Sequence, residues 1–352
     1  MLSRYLQKAP RYCPVMLLFL TGRCNLKCRM CGVCDLEHGY ESNEELSTDQ
    51  WKRLISEAAE KLGTSIMVIS GGEALMRDDV FEIIAHATNV GVATHLCTNA
   101  LLLTEEKIRL LQRAGVATVS FSIDGSESSI HEQLRGPQTF ERATSAVKKF
   151  KALAPEVHLG INFVITRHNY RFMMDMVRFA KELGVHQLKF APIHTNLLHK
   201  DKSFDNCQDL FFQESDLNDL EQEVKKVQRA CRKSRLMSNS AAFFDGIAHL
   251  YGTPHRVRCY AGYAICAISP AGCVSPCANM DSPFSITEQS IADIWKAEDF
   301  HNLRKQVHRC TSSCWDTTYT ELSLWLRPQS LLFSFPQKIK DIFFYFNGRQ
   351  NG

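Results

Sequence analysis

The feature that most constrains the fold is a regular alternation of β-rich runs and amphipathic helical segments in the first half of the chain. Six runs predict strands, at residues 15–21, 65–70, 93–98, 117–123, 157–165 and 187–192. Helical segments separate them, at residues 48–63, 78–89, 104–114, 140–153 and 170–183. In the first helix, Thr48 or Asp49 is the predicted cap and Gly63 the stop. This alternation indicates parallel βα units, in an open doubly wound sheet or a partial barrel.

Composition narrows the class of protein. The chain has 352 residues, 45% of them hydrophobic, so it can bury a sizeable core. A net charge of +3 without a long basic block does not suggest a nucleic-acid partner. The apolar run at residues 15–20 is shorter than the roughly seven to fifteen residues of a signal-peptide core. The fourteen cysteines therefore indicate metal ligands in a reducing compartment, and the predicted location is the cytoplasm.

Polar and glycine-rich stretches follow the predicted strands and do not precede them. In chain order they are "TGRCNLKC", "SGGEA", "CTNA", "SIDG", "TRHN" and "PIHT". The C-terminal ends of parallel strands build the active sites of α/β folds. We therefore expect the cysteine loop, the Gly-Gly-Glu stretch and the Asn and Asp turns to meet on one face, as in an enzyme.

The first of these stretches carries cysteines at the spacing of a metal site. Cys24, Cys28 and Cys31 can hold three irons of a four-iron cluster and leave the fourth iron open to bind a reactant. Cys34 adds a further two-residue gap, and four ligands would make a closed cluster or a zinc site. The three-ligand site is favoured, because neither closed site needs the other strand-end motifs.

Taken together, these motifs resemble those of the radical S-adenosylmethionine (SAM) enzymes. The resemblance lies in the three cysteines, in Gly71, Gly72 and Glu73, and in "CTNA" and "SIDG", and it covers about residues 12–320. It implies a partial (β/α)6 barrel and a [4Fe-4S] cluster whose open iron is chelated by SAM. One electron, from a donor such as flavodoxin or ferredoxin, would cleave SAM to methionine and a 5′-deoxyadenosyl radical that abstracts hydrogen from the substrate.

The resemblance also assigns residues to SAM. Gly71, Gly72 and Glu73 would meet its amino group, since glycines let the backbone approach a ligand and a carboxylate suits an ammonium. Thr98 and Ser122 are candidates for hydroxyl contacts. Arg135 would meet the carboxylate of SAM, or it is an ordinary surface arginine.

A second cysteine-rich region spans residues 259–314. It resembles the SPASM/Twitch extension, in the shorter form that holds one auxiliary [4Fe-4S] cluster, with a closing pair that is one residue wider than is common. The ligands on that pattern are Cys259, Cys277, Cys310 and Cys314. Cys266 and Cys273 are extra thiols, either packed residues or donors of a hydrogen atom in an epimerisation. An all-cysteine zinc site is the alternative for this region.

The predicted organisation has four parts. A partial barrel at 12–195 is followed by a helical connector at 196–258, a small cysteine-rich auxiliary domain at 259–320 and an amphipathic tail at 321–352. Ile339, Ile342, Phe343 and Phe346 share one face of the tail. The tail either docks on the barrel or makes a peripheral contact with a membrane, because nothing in it is long enough to span a bilayer.

The substrate is less constrained. Little sequence precedes Cys24, which leaves no room for a leader-peptide recognition domain and favours a small molecule such as a sugar or cyclitol. The auxiliary cluster would accept or relay an electron, so that the net reaction is an oxidation or an epimerisation. A maturase acting on a ribosomally made peptide is the runner-up. A non-enzymatic electron carrier or redox sensor and a zinc-stabilised binding module are the alternatives of other classes, which would not need Gly-Gly-Glu.

Overall fold

The computed structural model describes residues 2–32, 45–193, 204–234, 236–251, 257–311 and 314–327. Within these ranges, eight strands form one sheet: β1 (Val15–Phe19), β2 (Ile66–Ser70), β3 (Ala93–Thr98), β4 (Thr118–Ser122), β5 (His158–Ile165), β6 (Gln187–Pro192), β7 (Ile265–Ile268) and β8 (Val274–Ser275). The first six are the predicted strands, and their ends differ from the predicted bounds by at most two residues.

Helices connect and flank the strands. In the described ranges they are α1 (Leu2–Tyr5), α2 (Thr48–Leu62), α3 (Val80–Asn89), α4 (Glu105–Arg113), α5 (Ser128–Arg135), α6 (Phe140–Leu153), α7 (Met173–Leu183), α8 (Leu217–Lys233), α9 (Ala241–Ile247), α10 (Ile291–Lys296), α11 (Glu298–Arg309) and α12 (Tyr319–Trp325). The α2 cap differs from the prediction, because Ser47 accepts from the Gln50 amide at 3.3 Å while the Gln50 side chain accepts from the Ser47 amide. This capping box places the helix start one residue earlier, and Gly63 ends the helix in the left-handed conformation as predicted.

The sheet is a partial barrel. Its strand order is β6-β5-β4-β3-β2-β1-β7-β8, and every neighbouring pair is parallel except β7 and β8. Side chains from β1, β2, β3, β5 and β6 line one common cavity, so the sheet curls around it. The partial (β/α)6 barrel that the family resemblance implied is confirmed, and the C-terminal ends of its strands lie on one rim.

The cysteine-rich segment is joined directly to this sheet. Residues Ile265–Ile268 of β7 pair in parallel with β1, in register from Val15 to Leu18. The sheet therefore has eight strands and not the six that the sequence indicated. The predicted bounds of the four parts stay a prediction, and β7 shows that the segment after residue 259 extends the barrel sheet.

The connector and the start of the tail pack against the molecule. Leu220, Val224 and Val227 of α8 are buried in one stripe, as predicted, and Leu217 is half-buried. Glu321 and Leu324, at the start of the predicted tail, are buried within α12. None of the helices in the described ranges could cross a lipid bilayer. Cys34, His194, His199 and the apolar face predicted for the tail lie outside the described residues.

Candidate active site and auxiliary centre

The first cysteine loop leaves β1 through the turn formed by Thr21, Gly22 and Arg23. Cys24, Cys28 and Cys31 follow, all half-buried, and the Cys31 amide donates to the Cys28 carbonyl at 3.1 Å. Burial, with smaller contributions from Cys31, Asp124 and Cys24, raises the pKa of Cys28 to about 11 against the opposing effect of Arg135. Iron would stabilise the thiolate, and three cysteines on one loop fit a cluster.

Two polar side chains lie against these thiols. Nη1 of Arg135 lies 3.8 Å from the Cys28 sulfur, and Nδ2 of Asn99 lies 4.0 Å from the Cys24 sulfur. The same Asn99 nitrogen donates to Oδ1 of Asn25 at 2.8 Å, which fixes the loop between the first two cysteines. Hydrogen bonds to cluster sulfurs tune reduction potentials, so Asn99 and Arg135 are placed to adjust a cluster bound here.

Arg135 is held by a buried carboxylate. Its Nε donates to Oδ2 of Asp124 at 2.5 Å, and Oδ1 of Asp124 accepts from the Val164 amide at 2.7 Å. Burial alone would lower the pKa of Arg135, but Asp124 and Cys28 raise it above its usual value. The Arg135 side chain is only 11% exposed, so the surface-arginine alternative is wrong. Asp124 is part of the "SIDG" stretch, and its neighbours in the sequence do not indicate this role.

The glycines of Gly-Gly-Glu are required by the backbone of the cysteine turn. The Gly72 amide donates to the Thr21 carbonyl and the Glu73 amide to the Arg23 carbonyl, both at 2.8 Å. A Cβ on Gly71 would lie 2.5 Å from the Thr21 oxygen, and one on Gly72 would lie 2.1 Å from the Arg23 oxygen. The glycines therefore let two strand-end loops contact each other, and their predicted contact with the amino group of SAM stays a prediction.

Glu73 is 1% exposed and its carboxylate already has partners. Oε1 accepts from the Thr98 hydroxyl at 2.9 Å, and Oε2 accepts from the Asn99 amide at 2.7 Å. Burial raises the pKa of Glu73, and these hydrogen bonds oppose the shift. The Thr98 oxygen also accepts from the Ala100 amide at 3.0 Å, so Thr98 positions Glu73. Contacts of Glu73, Thr98 and the half-buried Ser122 with a cofactor stay predictions.

A second set of charged residues, which the sequence analysis missed, supports the cysteine turn from behind. Oε1 of Glu45 accepts from the Gly22 amide at 3.2 Å, and its Oε2 accepts from Arg77 at 3.3 Å. Arg77 also donates to the Leu20 carbonyl at 3.3 Å. Glu45 and Arg77 are 3% and 8% exposed at their side chains, and this near-complete burial makes the support rigid. Their long separation in sequence from residue 22 left no local signal.

The four predicted auxiliary ligands line one cavity of about 440 Å³: Cys259, Cys277, Cys310 and Cys314. Burial raises the pKa of Cys259 to about 11 and the pKa of both Cys277 and Cys314 to about 12. Neighbouring thiols add to these shifts, because each thiolate would repel the next. A cavity lined by four cysteine thiols fits an iron–sulfur cluster, whose irons would stabilise the thiolates.

The two extra thiols lie elsewhere. The Cys266 sulfur is fully buried 3.7 Å from the Cys13 sulfur, and the Cys273 thiol donates to the Ser282 carbonyl at 3.1 Å. Cys266 pairs with Met16 on β1, on the face of the sheet opposite to Val15, which lines the barrel cavity. Cys266 is therefore a packed residue that does not face the barrel interior. Nε2 of His168 lies 2.9 Å from Oδ2 of Asp209, and the His168 side chain is 31% exposed.

The sequence matches two family models. The radical SAM superfamily matches residues 18–180, and an iron–sulfur cluster-binding domain matches residues 259–316. A PqqA peptide cyclase of Rhodopseudomonas palustris is 30% identical over 316 residues, covering 87% of this chain and 80% of the cyclase. An AdoMet-dependent heme synthase of Methanosarcina barkeri is 31% identical over 302 residues, covering 81% of this chain and 83% of the synthase.

Solved structures share the fold. Streptococcus suis SuiB bound to its precursor peptide SuiA has a TM-score of 0.67 at 17% identity, covering 86% of this chain and 68% of SuiB. The enzyme anSMEcpe, with bound AdoMet and the Cp18Cys peptide, has a TM-score of 0.65 at 18% identity, covering 93% of this chain and 98% of anSMEcpe.

These matches set aside the electron carrier and the zinc module, because both relatives are enzymes and span most of the chain. The family cofactors are [4Fe-4S] clusters and SAM, which the two groups of cysteines fit. The protein thus belongs to the radical SAM superfamily, and its C-terminal segment is an iron–sulfur cluster-binding domain.

Proposed function

We propose that this enzyme modifies a peptide, as a maturase that abstracts hydrogen with SAM and passes an electron to the auxiliary cluster. The observation that carries the proposal is the relationship to peptide cyclases, at 30% identity across 80% of the R. palustris protein. Three further PqqA peptide cyclases are 28%, 28% and 30% identical. These relatives favour a peptide over the sugar-like metabolite that the sequence analysis preferred.

The roles of the first loop follow from its contacts. Cys24, Cys28 and Cys31 would hold the cluster that, with SAM bound, supplies hydrogen abstraction. Asp124 holds Arg135 beside the Cys28 sulfur, which fixes a positive charge next to the cluster loop. Asn99 ties this loop to the end of β3. The chain thereby sets the position and the charge of the site before any substrate enters.

The auxiliary centre gives a role to the second group of cysteines. Its four thiols would hold a cluster that takes up the electron left after hydrogen abstraction. Arg4 supports this centre, since its Nε donates to the Cys259 carbonyl at 2.5 Å. We expect a small low-potential donor such as flavodoxin or ferredoxin to supply the electron that reduces the first cluster.

A heme-related substrate is the second candidate. The observation in its favour is the M. barkeri heme synthase, which is 31% identical across 83% of its length. The two candidates differ in a property that is simple to measure, because only a peptide substrate is destroyed by protease.

The test uses extract from the native source grown on deuterated amino acids. The anaerobically reconstituted enzyme receives fractions above and below about 1 kDa, each with or without prior protease treatment. We expect deuterium in 5′-deoxyadenosine only with the fraction above about 1 kDa that has not been treated with protease. We expect none with the Cys24→Ser variant. Transfer that survives protease and comes from the small-molecule fraction would instead support a metabolite or a heme-related compound.

A further inference from the structure

A second cavity lies inside the barrel and is separate from the auxiliary centre. Its volume is about 160 Å³, and β1, β2, β3, β5, β6 and α12 all contribute to its wall. Cavities that hold a whole ligand measure about 300–1,000 Å³. This cavity therefore has room for one side group of a larger molecule.

The cavity extends along the strands towards the rim that carries the cluster loop, from Val15 and Ile66 at the start of β1 and β2 to Cys97 near the end of β3. Cys97 lines it and immediately precedes Thr98, whose hydroxyl donates to Glu73. Nδ2 of Asn162 lies 3.8 Å from the Cys97 sulfur, and Asn162 pairs with Lys189 across β5 and β6. A substrate that reaches the radical site from the rim can thus place a side group in this cavity.

The cavity wall carries a positive charge with no acidic partner among the described residues. The half-buried Lys189 donates to the Ser238 carbonyl at 3.1 Å, and none of the ion pairs formed within the described ranges includes it. Glu321 also lines the cavity, but its Oε1 accepts from the Ser240 amide at 2.9 Å and from the Trp325 indole at 3.0 Å.

Three other polar groups of the wall are neutral. Burial, with a smaller effect of the Lys189 charge, lowers the pKa of His95 to about 4, so His95 is uncharged at pH 7. Asn162 and Gln187 contribute amide groups to the same wall. Because no carboxylate of the described residues, Glu321 included, forms an ion pair with Lys189, an anion that enters with the substrate would stabilise its ammonium.

We propose that this cavity is a subsite for a carboxylate of the substrate, which pairs with Nζ of Lys189 and receives hydrogen bonds from the amides of Asn162 and Gln187. The substrate class rests on the proposed function: in a peptide, the group is the side chain of an Asp or Glu next to the residue that is modified. The subsite itself requires only a short carboxylate.

The first experiment tests binding at the subsite without a peptide. Thermal unfolding of the reconstituted enzyme is followed in propionate or propionamide, at matched ionic strength. Because a ligand that binds the folded state raises the unfolding temperature, propionate should raise it and propionamide should not. The rise should vanish in Lys189→Met, persist in Lys189→Arg and persist in Lys149→Met, which removes an exposed lysine of α6. Equal shifts for both compounds, or a shift that Lys189→Met retains, would overturn the subsite.

The second experiment tests whether the substrate is a peptide with an acidic side chain. The holoenzyme with SAM is incubated with a random hexapeptide library, and retained peptides are sequenced by mass spectrometry. We expect Asp and Glu to be enriched on the wild type by about 10- to 100-fold over Lys189→Met, as for a hydrogen bond to a charged group. Retention of peptides with no preference for Asp or Glu would overturn the proposal that the subsite binds an acidic side chain. No retention of any peptide, together with the propionate shift, would overturn the peptide substrate and leave the carboxylate subsite standing.

Discussion

Arg135 lies between the buried carboxylate of Asp124 and the sulfur of Cys28, at 2.5 Å from one and 3.8 Å from the other. The pair joins the ends of β4 and α5 to the first cysteine loop. Its position makes Asp124 a positioning residue, because its carboxylate accepts from Arg135 and from the Val164 amide, and none of its hydrogen bonds within the described residues reaches a cysteine sulfur.

Asp124→Asn should therefore weaken the cluster without abolishing it. The isosteric amide removes the charge that orients Arg135, and residues that orient metal ligands typically change metal affinity or activity by about 10- to 100-fold. We expect a loss of that size in SAM cleavage and a shifted reduction potential of the first cluster, measured by redox titration. Asp219→Asn, which removes an exposed ion pair with Arg171, is the control and should change neither quantity. An unchanged potential in Asp124→Asn would contradict the positioning role.

Gly72→Ala should separate the two loops that carry the first site. Its Cβ would meet the Arg23 carbonyl at 2.1 Å, so the cysteine turn must move. Because misplacement of a site by about 1 Å can cost on the order of 100-fold in rate, 5′-deoxyadenosine formation should fall by that factor.

Gly91→Ala is the matched control for that change. Gly91 has a φ of +82° and its Cβ would meet nothing within 4 Å, so this variant introduces backbone strain without a clash. It should keep 5′-deoxyadenosine formation within a few-fold of the wild type. Equal activity of Gly72→Ala and Gly91→Ala would show that the close approach of the loops is not needed.

The auxiliary ligands can be separated from the extra thiols by iron analysis. Cys277→Ala should lower iron from about eight to about four atoms per chain, because one of two four-iron clusters is lost. Cys273→Ala is the control, since the Cys273 thiol donates to the Ser282 carbonyl outside the cavity, and it should retain both clusters. Loss of iron in Cys273→Ala with full iron in Cys277→Ala would exchange the two assignments.

Two buried histidines predict a fall in stability in mild acid. Burial lowers the pKa of His131 and of His95 to about 4 from 6.5. The unfolded chain then binds more protons between these values, so the free energy of unfolding falls as pH drops from about 6.5 towards 4, by up to about 3 kcal/mol per histidine.

His131→Asn tests the His131 contribution. Nδ1 of His131 accepts from the Asp124 amide at 3.1 Å, and an asparagine oxygen can take that hydrogen bond without titrating. Urea unfolding at pH 7, 6 and 5 should show a smaller pH dependence for the variant than for the wild type. Parallel curves would mean that His131 does not titrate in this window.

The sequence predicted most of the barrel because the signals for strands and helices are local. The strand runs, Gly63 and the stripe on α8 each occupy a few neighbouring residues, and all were found. The pairing of β7 with β1 joins residues about 250 positions apart, so no local pattern could indicate it. The four auxiliary cysteines were predicted from the resemblance to the SPASM/Twitch pattern, and the structure places them around one cavity.

The supporting residues were harder to find for a physical reason. Asp124, Glu45 and Arg77 act through buried hydrogen bonds to groups on other loops, and a lone charged residue in a sequence more often indicates a solvated surface. The cofactor contact of Thr98 stays a prediction. Its hydrogen bond to Glu73 could not be predicted, because it depends on the packing of β2 beside β3.

The most direct measurement of the central claim is the electron paramagnetic resonance spectrum of the reduced enzyme before and after addition of SAM. If Cys24, Cys28 and Cys31 leave one iron open, SAM should change the signal of the first cluster in the wild type and in Cys34→Ala. Cys24→Ser should lose that response. A wild-type spectrum that SAM leaves unchanged, with the first cluster lost in Cys34→Ala, would contradict the open iron and with it the radical chemistry proposed for this chain.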